Sequence, residues 1–238
     1  MFGCAISPVA KNSKCSIAEA RRALRGLYRR AFAHFGPLHW WPGETPFEIC
    51  VGAILTQNTA WTNVEKAIAV LRRKNLLTVE AMRRARLDHL ARAIRSSGYY
   101  NQKARKLKTF CDHVAKAHDG RLEKLLALPP ARLRAELLAL NGIGPETADS
   151  IVLYAAGQPI FVIDAYTRRI LARMGLTPEE IDYAELQDLF HRCFPPDAPF
   201  YNEFHAQIVY LGKEFCRRRE PRCGDCPAAL RRAAGAID

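Results

Sequence analysis

The chain has 238 residues, 49% of them hydrophobic, which is enough for a core in one domain or two small lobes. Lys plus Arg outnumber Asp plus Glu by 36 to 24, a formal charge of +12, and that balance points to a polyanionic partner, either nucleic acid or an acidic membrane surface. No run of about 18 apolar residues occurs, which excludes a membrane-spanning helix.

In chain order, the opening "MFGCAISPVAKNSKCS" lacks the basic n-region and apolar core of a secretory signal. A cytoplasmic protein is expected, with its eight cysteines in metal or thiol chemistry rather than disulfides. The segment to about Cys15 reads as loose. "TPFEICVGAIL" opens a helix with Thr45 as N-cap, Pro46 at the first helical position and Glu48 completing a capping box. "TNVEKAIAVLRR" repeats the device with Thr62 and Glu65, and its apolar residues Val64, Ala67, Ile68 and Leu71 fall at helical spacing. "EAMRRARLDHLARAIRSSG" reads as one amphipathic helix ending at Gly98, and "NQKARKLKTFCDHVAKAHDG" as a basic-faced helix ending at Gly120. "AYTRRILARMG" and "YNEFHAQIVYLGKEFC" supply two more, and only "IFVI" is short and β-branched. The expectation is an all-α protein of about ten helices.

Between "ARLRAELLAL" and "PETADSIVLYAAG" lies "NGIG", which makes helix, tight turn, helix. Gly142 and Gly144 permit positive φ and leave amides uncovered. Gly144 and Pro145 open a helix whose first N–H groups have no internal partner, at the positive end of the helix dipole. Such a turn grips backbone phosphate without reading sequence, with Ile143 anchoring it in the core. The same pattern also fits an ordinary helix–helix turn with a glycine C-cap.

This stretch resembles the helix-hairpin-helix element of the endonuclease III superfamily of DNA glycosylases. "GAILTQNTAWTNVEKAI" is similar to the family's first barrel helices, "IRSSGYYNQKARKLKTFC" to its mid-barrel segment and "VIDAYTRRILARMG" to its catalytic-aspartate segment. The resemblance implies a six-helix barrel lobe over 39–158 and a second helical lobe built from 1–38 and 159–238. It also implies base-excision repair, with a monomer acting on double-stranded DNA, flipping a damaged base and breaking its glycosidic bond. With no membrane partner, localisation is expected to be cytoplasmic and nucleoid-associated.

Read from the residues alone, Asp164 is an N-cap; the resemblance makes it the catalytic carboxylate, and the two roles are compatible. In bifunctional members a lysine occupies the position of Glu146 and forms a Schiff base with the sugar; a carboxylate cannot, so a monofunctional enzyme is expected. The position of Gln57 supplies the family's side chain that fills the gap left by the flipped base. Trp40, Trp41 and Trp61 are similar to the aromatics of the 3-methyladenine glycosylase branch, where ring faces sandwich a cationic alkylated base. Core packing is the plain alternative for all three. Cys216, Cys223 and Cys226 match the first three ligands of the family's 4Fe–4S loop, but the fourth position is Arg232. Arg217, Arg218, Arg219 and Arg222 in that loop read as a phosphate-binding rim. The rival readings are a glycosylase/AP lyase, a thymine or uracil mismatch glycosylase, and a non-catalytic DNA-damage binding protein.

Overall fold

The computed structural model describes residues 16–229. The N-terminal segment to Cys15 and the position of Arg232 therefore lie outside the described residues. All regular structure is helical: twelve α-helices, a 3-10 turn and a π turn, with no strand among the described residues. Among the described residues no helix is long and apolar enough to cross a membrane. The chain divides into two units. One takes the described residues up to Trp40 and those from Phe161 onward; the other is 41–160.

The first unit holds α1 (Ile17–Phe35), α10 (Ala165–Arg173), α11 (Tyr183–Cys193) and α12 (Ala198–Glu214). α1 opens on a reciprocal capping box, with the Ser16 hydroxyl accepting from the Glu19 N–H and the Glu19 carboxylate accepting from the Ser16 N–H. Its buried face, Leu24 and Leu27, meets a core in which Phe161 stacks on Phe190 at 3.7 Å between centroids and Phe204 meets both edge-on. "IFVI", the strand-like run, is fully buried but joins no sheet. The Phe161 N–H donates to His191 Nε2 at 3.0 Å, Gln187 donates to the Phe161 carbonyl at 2.7 Å, and the Ile163 N–H donates to the Tyr183 hydroxyl at 3.3 Å. Side chains of α11 thus satisfy the backbone that a neighbouring strand would otherwise serve.

The second unit contains α2 (Pro46–Leu55), α3 (Trp61–Arg73), α4 (Val79–Arg84), α5 (Leu87–Ala93), a 3-10 turn at Arg95–Ser97, α6 (Tyr100–Ala117), α7 (Leu122–Leu126), α8 (Pro130–Leu138), α9 (Pro145–Ser150) and the π turn Ile151–Ala155. α2 is almost wholly buried, which explains why its sequence is apolar on nearly every face. Three local expectations are corrected here. Thr45 caps α2 as expected, but the Glu48 carboxylate turns to Arg72 (2.8 Å) instead of closing the box. α3 is capped two residues earlier than its cap signal, at Ala60 and without a side-chain cap, so Thr62 is already helical. The single helix expected up to Gly98 is broken into α4, α5 and the 3-10 turn. In a continuous helix Arg86 would fall on the apolar stripe of Val79, Met82, Leu90 and Ala93. The break leaves it outside, paired with Asp88 at 3.2 Å, while Lys108 donates to the last carbonyls of α4, those of Arg83 and Ala85.

Candidate functional site

The hairpin is α8, the turn through Gly144, and α9. Only Gly142 adopts positive φ (+87°); Gly144 is extended at −92° and serves as N-cap. Of the two glycines that permit positive φ, one uses it. Gly142 is required twice over, since an added Cβ would also lie 2.5 Å from Lys106 Cε. At Gly144 an added Cβ would meet open space, so what its missing side chain provides is access to the amides that open α9. Ile143 is buried, anchoring the turn. Arg134 of α8 grips the fully buried Asp149 of α9 at 2.6 Å, tying the two arms together. Glu146 is exposed in the first turn of α9, where a carboxylate complements the helix dipole.

Gln57 is not a loose surface amide. It donates to the Gly142 carbonyl at 3.1 Å and to the Thr147 hydroxyl at 2.9 Å, and it accepts from Lys106. To enter a DNA duplex it must leave these three hydrogen bonds. Beside it, Asn58, exposed Tyr99, Gln102, Lys103 and Lys106 complete a polar recess. Lys103 is buried and donates to the carbonyls of Leu55 (2.9 Å) and Ser97 (2.6 Å), closing the C-terminus of α2; burial, with help from neighbouring Lys106, pushes its amine down to about 8. Sequence reading missed Lys103 and Lys106 because each is one basic residue on a basic helix face.

Asp164 is the N-cap of α10. Its Oδ1 accepts from the Thr167 N–H at 2.7 Å and from the Thr167 hydroxyl at 2.9 Å, while Oδ2 faces His205 Nε2 at 3.7 Å. One oxygen thus fixes the side chain and the other is turned toward an imidazole. Burial drives the His205 pKa below its ordinary 6.5, against the opposing pull of Asp164, so the imidazole is neutral near pH 7. A carboxylate held by a cap and flanked by a neutral imidazole is equipped to stabilise developing positive charge or to accept a proton. His205 gave no sequence signal, standing on α12 some forty residues from Asp164.

The tryptophans divide. Trp41 meets Trp61 edge-on at 5.0 Å and Tyr154 at 4.8 Å, and Gly52 leaves room for both indoles. Trp61 therefore has an aromatic partner in Trp41, and Tyr154 joins the group from the π turn. Trp40 belongs to the first unit, where it lies against Tyr210 (6.1 Å) with Lys213 over its ring.

Cys216, Cys223 and Cys226 occupy the loop after α12. Arg169 donates to the Cys216 carbonyl at 2.7 Å, and Arg173 to its sulfur at 3.3 Å. Arg217, Arg218 and Arg219 are exposed, whereas Arg222 pairs with Asp225 at 3.0 Å and covers the Phe215 ring. Four thiolates normally hold a 4Fe–4S cluster. Of the more distant cysteines that could complete the set, Cys4 and Cys15 lie outside the described residues and Cys193 stands at the end of α11. Its sulfur lies by the Ile17 carbonyl at the start of α1, whereas Arg30, far along the same helix, holds the Ala228 carbonyl beside the cysteine loop. Ile17 and Arg30 are themselves about 20 Å apart along the helix axis. The described residues therefore do not complete a four-thiolate set.

Residues 51–196 match the family model described as HhH-GPD superfamily base excision DNA repair protein. A Methanocaldococcus jannaschii protein named as a DNA repair glycosylase is 42% identical over 203 residues, covering 84% of this chain and 91% of that one. Among solved structures, the H. pylori 3-methyladenine DNA glycosylase bound to 1,N6-ethenoadenine superposes with a TM-score of 0.71 at 28% identity, over 82% of this chain and 97% of that one. A trapped endonuclease III–DNA covalent intermediate shares the fold, with a TM-score of 0.76 at 23% identity over 87% and 93% of the two chains. With the helical architecture and the hairpin in place, the chain belongs to the HhH-GPD superfamily of base excision DNA repair proteins, as a DNA glycosylase.

Proposed function

We propose that this protein is a monofunctional glycosylase that binds double-stranded DNA carrying a damaged base, flips that nucleotide out and hydrolyses its N-glycosidic bond with water. The observation that carries the hydrolytic reading is Glu146, exposed in the first turn of α9 at the position where bifunctional relatives place a lysine. A carboxylate cannot form the imine on which strand cleavage depends. Asp164 is assigned the catalytic role. Cleavage builds positive charge on the deoxyribose, which its Oδ2 stabilises while Oδ1 stays locked to Thr167, and the same carboxylate takes the proton of the attacking water. Gly142, Ile143 and Gly144 present amides to a phosphate, and Arg217, Arg218 and Arg219 add charge to a DNA-facing rim. No step is assigned to the cysteine loop.

Alkylated purines are the favoured substrate class. Trp41, Trp61 and Tyr154 gather electron-rich rings in one place, which suits a cationic base. The structural neighbour named as a 3-methyladenine glycosylase supports the same class. The test is a panel of duplexes, each carrying one lesion, incubated with the protein and analysed with and without alkali. Strand breaks that appear only after alkali, on methylpurine duplexes, are expected. Breaks without alkali establish a lyase, excision of thymine or uracil opposite guanine moves the substrate class, and retention without excision leaves only a binding protein.

A further inference from the structure

We propose that His113, His118 and Glu136 form a binding site for a divalent transition-metal ion, with Zn²⁺ the best match to the donor set. This inference is independent of the glycosylase reading. His113 lies in the last turns of α6, His118 is the C-cap of that helix, and Glu136 stands on α8, the first arm of the hairpin. The Nε2 atoms of both histidines converge on one oxygen, Glu136 Oε2, at 3.2 Å and 2.8 Å, and the three donor atoms lie within 4.8 Å of one another.

Residues five apart on a helix point in different directions, so spacing alone does not bring the two imidazoles together. The end of α6 does. His118 leaves the helix at φ −130°, and Asp119 and Gly120 follow in the left-handed region, so the chain reverses and the second ring returns toward the first. The rings stand at 67° to each other, 5.5 Å between centroids, so they approach a common point without stacking. Arg132 faces the other oxygen, Glu136 Oε1, at 3.5 Å and leaves Oε2 to the histidines.

Two imidazole nitrogens and one carboxylate oxygen are a zinc donor set, with a fourth position for water. Tetrahedral bonds of about 2.0–2.1 Å put donors about 3.3 Å apart. The His113–Glu136 separation already matches that spacing, and the His118–Glu136 pair needs to open by roughly half an ångström. A bound ion would link the end of α6 to α8 and so stiffen the hairpin arm.

The test compares chelator-treated wild-type protein with His113→Ala and Glu136→Gln. All three keep Cys216, Cys223 and Cys226, so any zinc on thiols is common to them. Glu136→Gln retains an acceptor for the histidine N–H groups but loses the anion, which separates a metal site from a hydrogen-bonded triad. Wild type is expected to bind one more Zn²⁺ per chain than either variant, or to bind that ion at least about tenfold more tightly. Its melting temperature should rise on zinc addition by more than theirs. Equal stoichiometry and equal melting shifts in all three would overturn the proposal. Should the variants fail to fold by circular dichroism, wild type alone decides through histidine carbethoxylation mapped by peptide mass spectrometry. Protection of His113 and His118 by Zn²⁺ supports the site, and unchanged modification rejects it.

Discussion

Asp164 holds Thr167 with one oxygen and turns the other toward His205, whose burial shapes how the protein responds to pH. His205 faces Asp164 Oδ2 from a buried position, and its folded pKa lies below 6.5. As pH falls through 6.5 the unfolded chain takes up a proton that the folded chain refuses, so stability is full above this value and declines below it. Unfolding in urea between pH 7.5 and pH 5 (about the His titration range) should show this loss, and His205→Gln should flatten it. An unchanged slope in the variant contradicts a buried neutral His205. The Asp164 cap and the Ile143 anchor were legible because capping and turn patterns are local grammar. His205, Lys106 and Tyr154 were not, because each reaches its partner across tens of residues of sequence, and nothing short of the fold brings them together.

The hairpin depends on one residue in the left-handed region. Gly142→Ala forces a Cβ onto a φ of +87° and into the Lys106 side chain. A loss of roughly 1–3 kcal/mol is expected from strain at such a position, measured by urea denaturation. Weaker binding to undamaged duplex should accompany it if, as proposed, the amides of this turn hold a phosphate. The end of α2 makes a second case. Lys103→Met leaves the Leu55 and Ser97 carbonyls without their donor, and each buried carbonyl so abandoned costs roughly 1–3 kcal/mol. At this scale the sequence pattern located the long helices but not their breaks. α4 and α5 carry mostly good helix formers, and the interruption keeps Arg86 off the face that buries Val79, Met82, Leu90 and Ala93. Likewise, β-branched "IFVI" suggested a strand, and side chains of α11 took over its hydrogen bonds.

At the scale of the whole molecule the formal charge of +12 has a measurable consequence. Duplex affinity should fall steeply with salt as counterions return to the DNA. Replacing Arg217, Arg218 or Arg219 with Ala should each lower the salt slope by about one if that rim meets phosphate; an unchanged slope removes the loop from the interface. The all-helical class and the family were legible from motif order, since an endonuclease III-like succession of segments runs through most of the chain. The three-cysteine loop was legible too, but a spacing pattern cannot supply a missing thiolate. The central claim is that a carboxylate, with water and no lysine, breaks the glycosidic bond. It is tested most directly by single-turnover excision and duplex affinity, measured side by side for wild type and Asp164→Asn on a duplex that wild type processes. The account predicts excision slower by at least about a hundredfold with affinity essentially retained, and excision by the variant at near wild-type rate would contradict it.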